Sequence, residues 1–416
     1  MTRKHKIFGL HPENIRRILL VAGIFFIHSF TDILNAQEIR LLFAGDAMQH
    51  QSQINNAFRN GEYDYSSYFQ HVKYEISSAD LAIVNLEGPL AGKPHKGYPM
   101  FSIPDAFAVA LKDAGFSVFL TANNHAVDCY SKGINRTIDV LDSLGVYHTG
   151  TFKNALDREK EYPLIVEKNG IRMAFLNYTY DTNGINPKAP CIVNMIDTAL
   201  IRKDIRKASR MHPDVIIAMM HWGLEYKLNP SKSQEQLARF LMNQGVDLII
   251  GSHPHVVQPS QIFTDPLGKN ARLIVYSLGN FVSGMNKVNS DGGQMISVTL
   301  KKTMDGKTQI ESCGTLLFYI QQKIMNDKVD FTLIPVSMAE KSPLLSPGTE
   351  RIALDSLTYE KMMCFANNAR DLFRQYNKGV NEYRFSSERA KGGVFLKFIP
   401  LNFSYWEQMR NFAPRK

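Results

Sequence analysis

The chain has 416 residues, 44% of them apolar, so it can bury a sizeable core and has the composition of a globular protein. Its formal net charge is +9; the first 36 residues contribute +3 (Arg3, Lys4, Lys6, Arg16 and Arg17 against Glu13 and Asp32), which leaves +6 for the rest. That mild basicity suits an anionic substrate or a negatively charged surface, and the absence of any basic run with interleaved aromatics excludes a nucleic-acid interface.

Residues 1–36 have the order of an export signal. A basic region ends in Arg16-Arg17, an apolar stretch runs from Ile18 to Ile27, and Leu34-Asn35-Ala36 offers a small residue for cleavage before Gln37. The apolar stretch is short for a membrane span of about 20 residues. A cleaved signal is the expectation, with a retained N-terminal anchor as the alternative. Cys129, Cys191, Cys313 and Cys364 are widely spaced without a C-x-x-C pair, so neither a disulfide framework nor a zinc ribbon is expected.

From residue 37 the chain alternates aliphatic runs, polar turns and helical stretches. Ile39–Phe43 is a strand leading to Gly45-Asp46. Tyr68–Ser77 has helical spacing. Leu81–Val84 is a strand leading to Asn85-Leu86-Glu87-Gly88. Residues 92–104, rich in Gly, Pro, Lys and His, form a loop long enough to wall a site. Asp105–Ala114 is a helix stopped by Gly115, and Val118–Leu120 a strand ending in Asn123-Asn124-His125. Ile134–Leu144 is the next helix. Ile171–Asn177 is a strand before a turn-rich loop holding Tyr180 and Asn183. The helix Asp197–Met211 precedes the strand Val215–Met220, which breaks at His221-Trp222-Gly223 with Glu225 close behind. Ser233–Gln244 reads as a helix capped by Ser233 with Gln236 closing a capping box. Leu248–Ile250 then runs into Gly251-Ser252-His253-Pro254-His255, and Leu273–Tyr276 into Gly279-Asn280. Strands alternating with helices imply a parallel or mixed sheet, whose ligands gather beyond the strand ends.

Those ends carry the chemistry. One Asp after a strand would ordinarily be a helix cap. Here six strand ends deliver Asp46, Glu87, Asn124 with His125, His221, His253 with His255, and Asn280. Mixed oxygen and imidazole donors suit zinc, manganese or iron, whereas calcium prefers oxygen alone.

In order, G-D-A-M, N-L-E-G-P-L, A-N-N-H-A, H-W-G-L-E-Y, G-S-H-P-H-V and Y-S-L-G-N-F resemble the capsule, or poly-γ-glutamate, synthesis family, which is similar in fold to the calcineurin-like metallophosphoesterases. The resemblance covers residues 39–300. It implies an α/β fold, a four-layered α/β/β/α metallophosphoesterase-like sandwich over 37–340, followed by a C-terminal extension, 341–416, packed on it. It also implies one or two divalent ions (Mn, Fe or Zn) at a site that can activate water for attack on phosphorus. On that resemblance, Asp46 binds the first ion and Glu87 takes the bridging position, with Asn85 as its rival. Asn124, His221 and His253 serve the second ion and His255 the first. His125 protonates the leaving group or steadies developing charge, and Asn280 and Glu225 orient substrate or support the ligands. Met48 stands where the superfamily has a histidine ligand, and a thioether is a poor ligand for hard cations. His50 is not expected to replace it.

The functional expectation is an exported metal-dependent hydrolase that makes, releases or trims a surface polymer at the periplasmic or cell-surface side. The alternative is a non-catalytic factor that binds the polymer or assembles its synthase. Expected partners are an anionic polymer or its synthase complex, close to a membrane. Past residue 300, Thr315–Tyr319 and Val329–Pro335 read as further strands. Tyr359–Lys378 reads as a helix with Met362, Phe365, Ala369, Leu372 and Tyr376 on one face. The aromatic stretch Val394–Trp406 could pack on the core or touch a membrane or partner.

Overall fold

The computed structural model describes residues 37–264, 271–325, 328–341 and 351–384. The proposed signal segment and the aromatic stretch 394–406 lie outside the described residues.

Residue alternation explains the architecture. Strand β1 (Gln37–Ala47) sends Ile39, Leu41 and Phe43 into one apolar cluster and Leu42 and Ala44 into another. Strand β2 (Leu81–Leu86) divides Leu81 and Ile83 from Ala82 and Val84 in the same way. Strands β3 (Val118–Leu120) and β4 (Tyr147–Thr149) follow, then β5 (Leu164–Lys168) and β6 (Ile171–Thr179). In β6, Met173 and Phe175 join the β1 and β2 residues, while Ala174, Leu176 and Tyr178 face a third cluster. Strands β7 (Val215–His221) and β8 (Leu248–Ser252) repeat the division. A strand apolar on both faces is buried on both faces. The shared cluster is therefore the seam between two stacked sheets, and the other clusters lie under outer helices.

Strands β9 (Ser260–Thr264), β10 (Ala271–Val275), β11 (Asn280–Val282), β12 (Gly292–Lys302), β13 (Thr308–Met325), β14 (Lys328–Pro335) and β15 (Asn381–Glu382) complete the sheets. The first sheet has nine strands along the path β14-β13-β12-β1-β2-β3-β4, with β11 added to β1 and β15 to β13. The second has six, in the order β9-β10-β8-β7-β6-β5. β1 to β4 run parallel, as do β6, β7, β8 and β10, whereas the β12–β14 meander is antiparallel. Truncating Phe175, fully buried in the seam, is expected to cost about 3–5 kcal/mol.

The helices Asp105–Ala114 and Tyr130–Leu144 cover the first sheet, burying Phe107, Leu111 and Leu141. Thr198–Arg210 and Lys232–Asn243 cover the second with Ile201, Ile205, Ala238 and Leu241. The four-layered α/β/β/α order expected from the sequence is the one observed. The C-terminal helix Ser356–Tyr376 lays Met362, Phe365, Ala369 and Leu372 against Leu317 and Tyr319 of β13.

Two local expectations shift. Helix Lys232–Asn243 is capped by Ser231, which accepts from the Gln234 N–H, with Gln234 closing the box; Ser233 already lies inside the first turn. Of the stretch Tyr68–Ser77, only Lys73–Ser77 is helical, because Tyr68, Phe69 and Val72 are drawn individually into the outer core. The four cysteines are free, two of them buried. No helix among the described residues is long and apolar enough to cross a membrane.

Candidate metal centre

The parallel strands of both sheets end on the same side, and their last residues converge. Asp46 sits near the end of β1, where the β1–β2 register shifts between Ala44 and Asp46. The residue between, Gly45, allows the chain to close on β11: a Cβ there would lie 1.9 Å from the Gly279 carbonyl oxygen. β11 then pairs Asn280 with Asp46. Glu87 follows β2, Asn124 and His125 follow β3, His221 ends β7, and His253 and His255 follow β8. Both histidines of that last turn have positive φ, +99° for His253 and +57° for His255. For a residue with a Cβ this is a strained conformation of the kind that persists at functional sites.

Two groups of three side chains each place one donor atom per residue within 4.8 Å of the others: Asp46, Glu87 and His255, and Glu87, His221 and His253. Glu87 belongs to both. His221 Nε2 lies 2.8 Å from Asn124 Oδ1, which brings Asn124 to the second group. Every one of these residues is buried. Neighbours hold the donors in place. Asn85 Nδ2 donates to Asp46 Oδ1 (2.7 Å), and the His253 backbone N–H to Asp46 Oδ2 (3.1 Å). His221 Nδ1 is 3.2 Å from Ser252 Oγ, and His255 Nδ1 is 3.0 Å from Asn280 Oδ1. Asn280 donates from its other end to the Ser290 carbonyl (2.8 Å), so its carboxamide braces His255. Glu225 is exposed just past β7, near enough for its charge to act on Glu87.

His125 stands apart from the ligand groups. Its Nδ1 pairs with Asp128 Oδ2 at 2.8 Å, and the same oxygen accepts from the Phe101 N–H (2.7 Å). Asn183 Nδ2 lies 3.3 Å from His125 Nδ1 and Asn124 Nδ2 donates to Asn183 Oδ1 (3.2 Å). Asp128 escapes a motif reading, the spacing of three from His125 being the only trace of that pair in the sequence, while Ser252 and Asn183 stand in turns read from the sequence without a role assigned to either. Tyr180 packs on His253 with ring centroids 4.5 Å apart, and Tyr226 lies 6.2 Å from His255.

Electrostatics sets the protonation of the centre. Burial alone would raise the Asp46 carboxyl, but the bonded His255 and the charge of His221 hold it well below the usual carboxylate range. Glu87 moves the other way: burial, then the Asp46 charge, push it well above that range. Burial, then the positive charge of His253, keep His221 neutral, and burial, then the charge of His255, lower His253 to about 3. Neutral imidazoles and a carboxylate are the states that bind cations. Both Glu87 oxygens and His253 Nδ1 are buried without a hydrogen-bond partner. Buried polar atoms are almost always satisfied, and a shared divalent ion accounts for a carboxylate orphaned at both oxygens between imidazoles. The residues present therefore fit the ions that the sequence implies. Met48 does not contribute: its side chain belongs to the apolar cluster under the outer helices.

Two stacked sheets between outer helices, with a buried carboxylate–imidazole cluster across their parallel strand ends, define a four-layered α/β/β/α protein with a candidate metal centre. The bacterial capsule synthesis protein PGA_cap family matches residues 40–285, more than half of the chain, and the chain belongs to that family. It is similar to the capsule biosynthesis protein CapA of Bacillus anthracis, 31% identical over 261 residues, which are 59% of this chain and 60% of that protein. It is also similar to the PGA biosynthesis protein CapA of Bacillus subtilis (strain 168), 28% identical over 295 residues, 67% of this chain and 71% of that one. The chain thus spans less than two thirds of the Bacillus anthracis relative. Among solved structures, the NAD nucleotidase NadN of Haemophilus influenzae aligns with 92% of this chain and 69% of its own at 14% identity, TM-score 0.45. The calcineurin-like phosphoesterase YfkN of Bacillus subtilis aligns with 82% and 99% at 12% identity, TM-score 0.40.

Proposed function

We propose that this protein is an exported, metal-dependent hydrolase acting on an anionic surface polymer, in its synthesis, release or trimming. The observation that carries the reading is Glu87, common to both donor groups, buried, and without a hydrogen-bond partner at either oxygen. In this reading Asp46, Glu87 and His255 would hold one ion, and Glu87, Asn124, His221 and His253 would hold the other. Zinc, manganese or iron bound there would polarise a phosphoryl or carbonyl oxygen and lower the pKa of water. The chain's residues do the rest. Asp128 orients His125 through Nδ1, leaving Nε2 to protonate the departing group. Asn85, Ser252 and Asn280 hold their ligands in register, and Tyr180 and Tyr226 flank the site.

Membership in a capsule synthesis family and similarity to a PGA biosynthesis protein support poly-γ-glutamate as the polymer, with a γ-glutamyl amide or a phosphoester as the bond cleaved. The net +6 beyond residue 36 draws such a polyanion in. The second reading, a polymer-binding or synthase-assembly factor without turnover, is favoured by Met48 in place of a histidine ligand. The test is the purified protein with defined metal content, screened on phosphoester and γ-glutamyl substrates beside His125→Ala. Turnover that His125→Ala abolishes while metal is retained supports hydrolysis. Polymer export that survives loss of every ion ligand, with no turnover, supports the assembly role.

A further inference from the structure

His50 follows Asp46 by four residues and precedes the helix Gln51–Ala57. Its backbone N–H donates to Gln53 Oε1 (2.8 Å), and its ring Nδ1 accepts from the Gly284 N–H (3.1 Å). A backbone N–H can only donate, so Nδ1 is the acceptor and the ring proton sits on Nε2. This tautomer bars His50 from replacing the ligand lost at Met48. A histidine that binds a cation through Nε2 gives that proton up and keeps one on Nδ1, where here it would face another N–H.

The seat of His50 is built by close backbone approach. A Cβ on Gly284 would lie 2.7 Å from His50 Cβ, and one on Gly97 would lie 2.3 Å from the Gln51 nitrogen and 2.9 Å from the His50 carbonyl carbon. The Gly97 N–H also donates to Gln51 Oε1 (3.1 Å), which ties the 92–104 loop to this turn. The His50 ring meets Phe101 edge to face, centroids 5.6 Å apart, and Phe101 meets His125 the same way at 4.6 Å. His50 and His125 thus flank Phe101 on one wall, and His50 is close enough to His255 and His125 to feel their charges.

We propose that His50 is a substrate-binding residue whose Nε2–H donates to an oxyanion of the ligand at the centre, a phosphoryl or carboxylate oxygen. With Nδ1 taken by the Gly284 N–H, the ring has only its Nε2–H left to offer; a donor complements a group that only accepts, and a hydrogen bond to a charged oxygen is among the stronger ones. The proposal rests on the ion-binding reading of the centre.

The test uses the full chain loaded with zinc, with inorganic phosphate as the probe. In nitrogen-15 spectra of the histidine rings, assigned through His50→Ala, His50 is expected as the Nε2–H tautomer, and its signal is expected to move when phosphate is added. Phosphate affinity is expected to fall on the order of 10-fold in His50→Ala. It should return to near the wild-type value in His50→Gln, which keeps an N–H donor near the Nε2 position, with zinc content unchanged in both variants. An Nδ1–H tautomer, lost zinc in His50→Ala, unchanged phosphate affinity in it, or failure of Gln to rescue would each overturn the assignment. A wild type that binds no zinc overturns the ion-binding reading and this assignment with it; a zinc-loaded wild type indifferent to His50→Ala overturns this assignment alone.

Discussion

Replacing Glu87 with Gln separates what this residue does with and without metal. In the metal-free protein its carboxyl is fully buried, lies beside Asp46 and has no hydrogen-bond partner at either oxygen. Burial and then the Asp46 charge raise its folded-state pKa above the ordinary 4.5. The sign follows from linkage. The folded chain holds the Glu87 proton more tightly than the unfolded chain, so the corresponding stability is present below pH 4.5 and is lost as pH rises through the raised value. At pH 8 the metal-free wild type therefore carries a buried group that must ionise or resist ionising. Gln removes that penalty, a gain of about 1–3 kcal/mol, or roughly 2–6 °C at about 2 °C per kcal/mol for a chain this long. Metal reverses the order. At a free concentration 100 times the dissociation constant, bound ion stabilises the wild type by about 2.7 kcal/mol, and Gln forfeits this as a poor bridging ligand. Differential scanning calorimetry at pH 8, with chelator and then with zinc, should show Glu87→Gln melting above wild type in chelator and below it in zinc. A variant that melts below wild type in chelator, or keeps the full zinc shift, would refute the reasoning.

Three further outcomes follow from the same geometry. His253 resists protonation to about pH 3 when folded, whereas an unfolded histidine takes up its proton near 6.5; stability of the metal-free protein should therefore fall as pH drops from 6.5 toward 3, and urea midpoints at pH 7.5 and 5 should show the slope lessened in His253→Gln. On the hydrolase reading, Asp128→Asn keeps the shape beside His125 but removes the carboxylate that accepts from it, so turnover should drop on the order of 100-fold with metal content unchanged by elemental analysis. Gly45→Ala places a methyl 1.9 Å from the Gly279 oxygen, so β11 must move; a loss of at least about 1–3 kcal/mol and weaker metal binding should appear together in melting and metal titrations.

Much of this was legible in the sequence because strands buried on both faces are near-continuous apolar runs that stop where chemistry begins. Leu81–Val84, Val215–Met220 and Leu248–Ile250 each end in donors, and so the convergence of Asp46, Glu87, His221 and His253 could be expected before any coordinates. What was not legible depends on long-range approach. Asp128 matters because Phe101, far behind it in the chain, shares its oxygen with His125. Asn280 braces His255 because β11 adds to β1 and brings Ser290 within reach. The helix starting at Lys232 shows a smaller failure: Ser231 and Ser233 are equally good caps by residue type, and Gln234 hydrogen-bonds back to Ser231.

Whether Asp46, Glu87, His221, His253 and His255 meet around divalent ions is decided by elemental analysis of the purified chain after equilibration with zinc or manganese. One to two ions per chain are expected in the wild type, falling to near zero in Glu87→Gln, because Glu87 serves both groups. A wild type that takes up no divalent ion, or a Glu87→Gln variant that takes up as much, would contradict that arrangement.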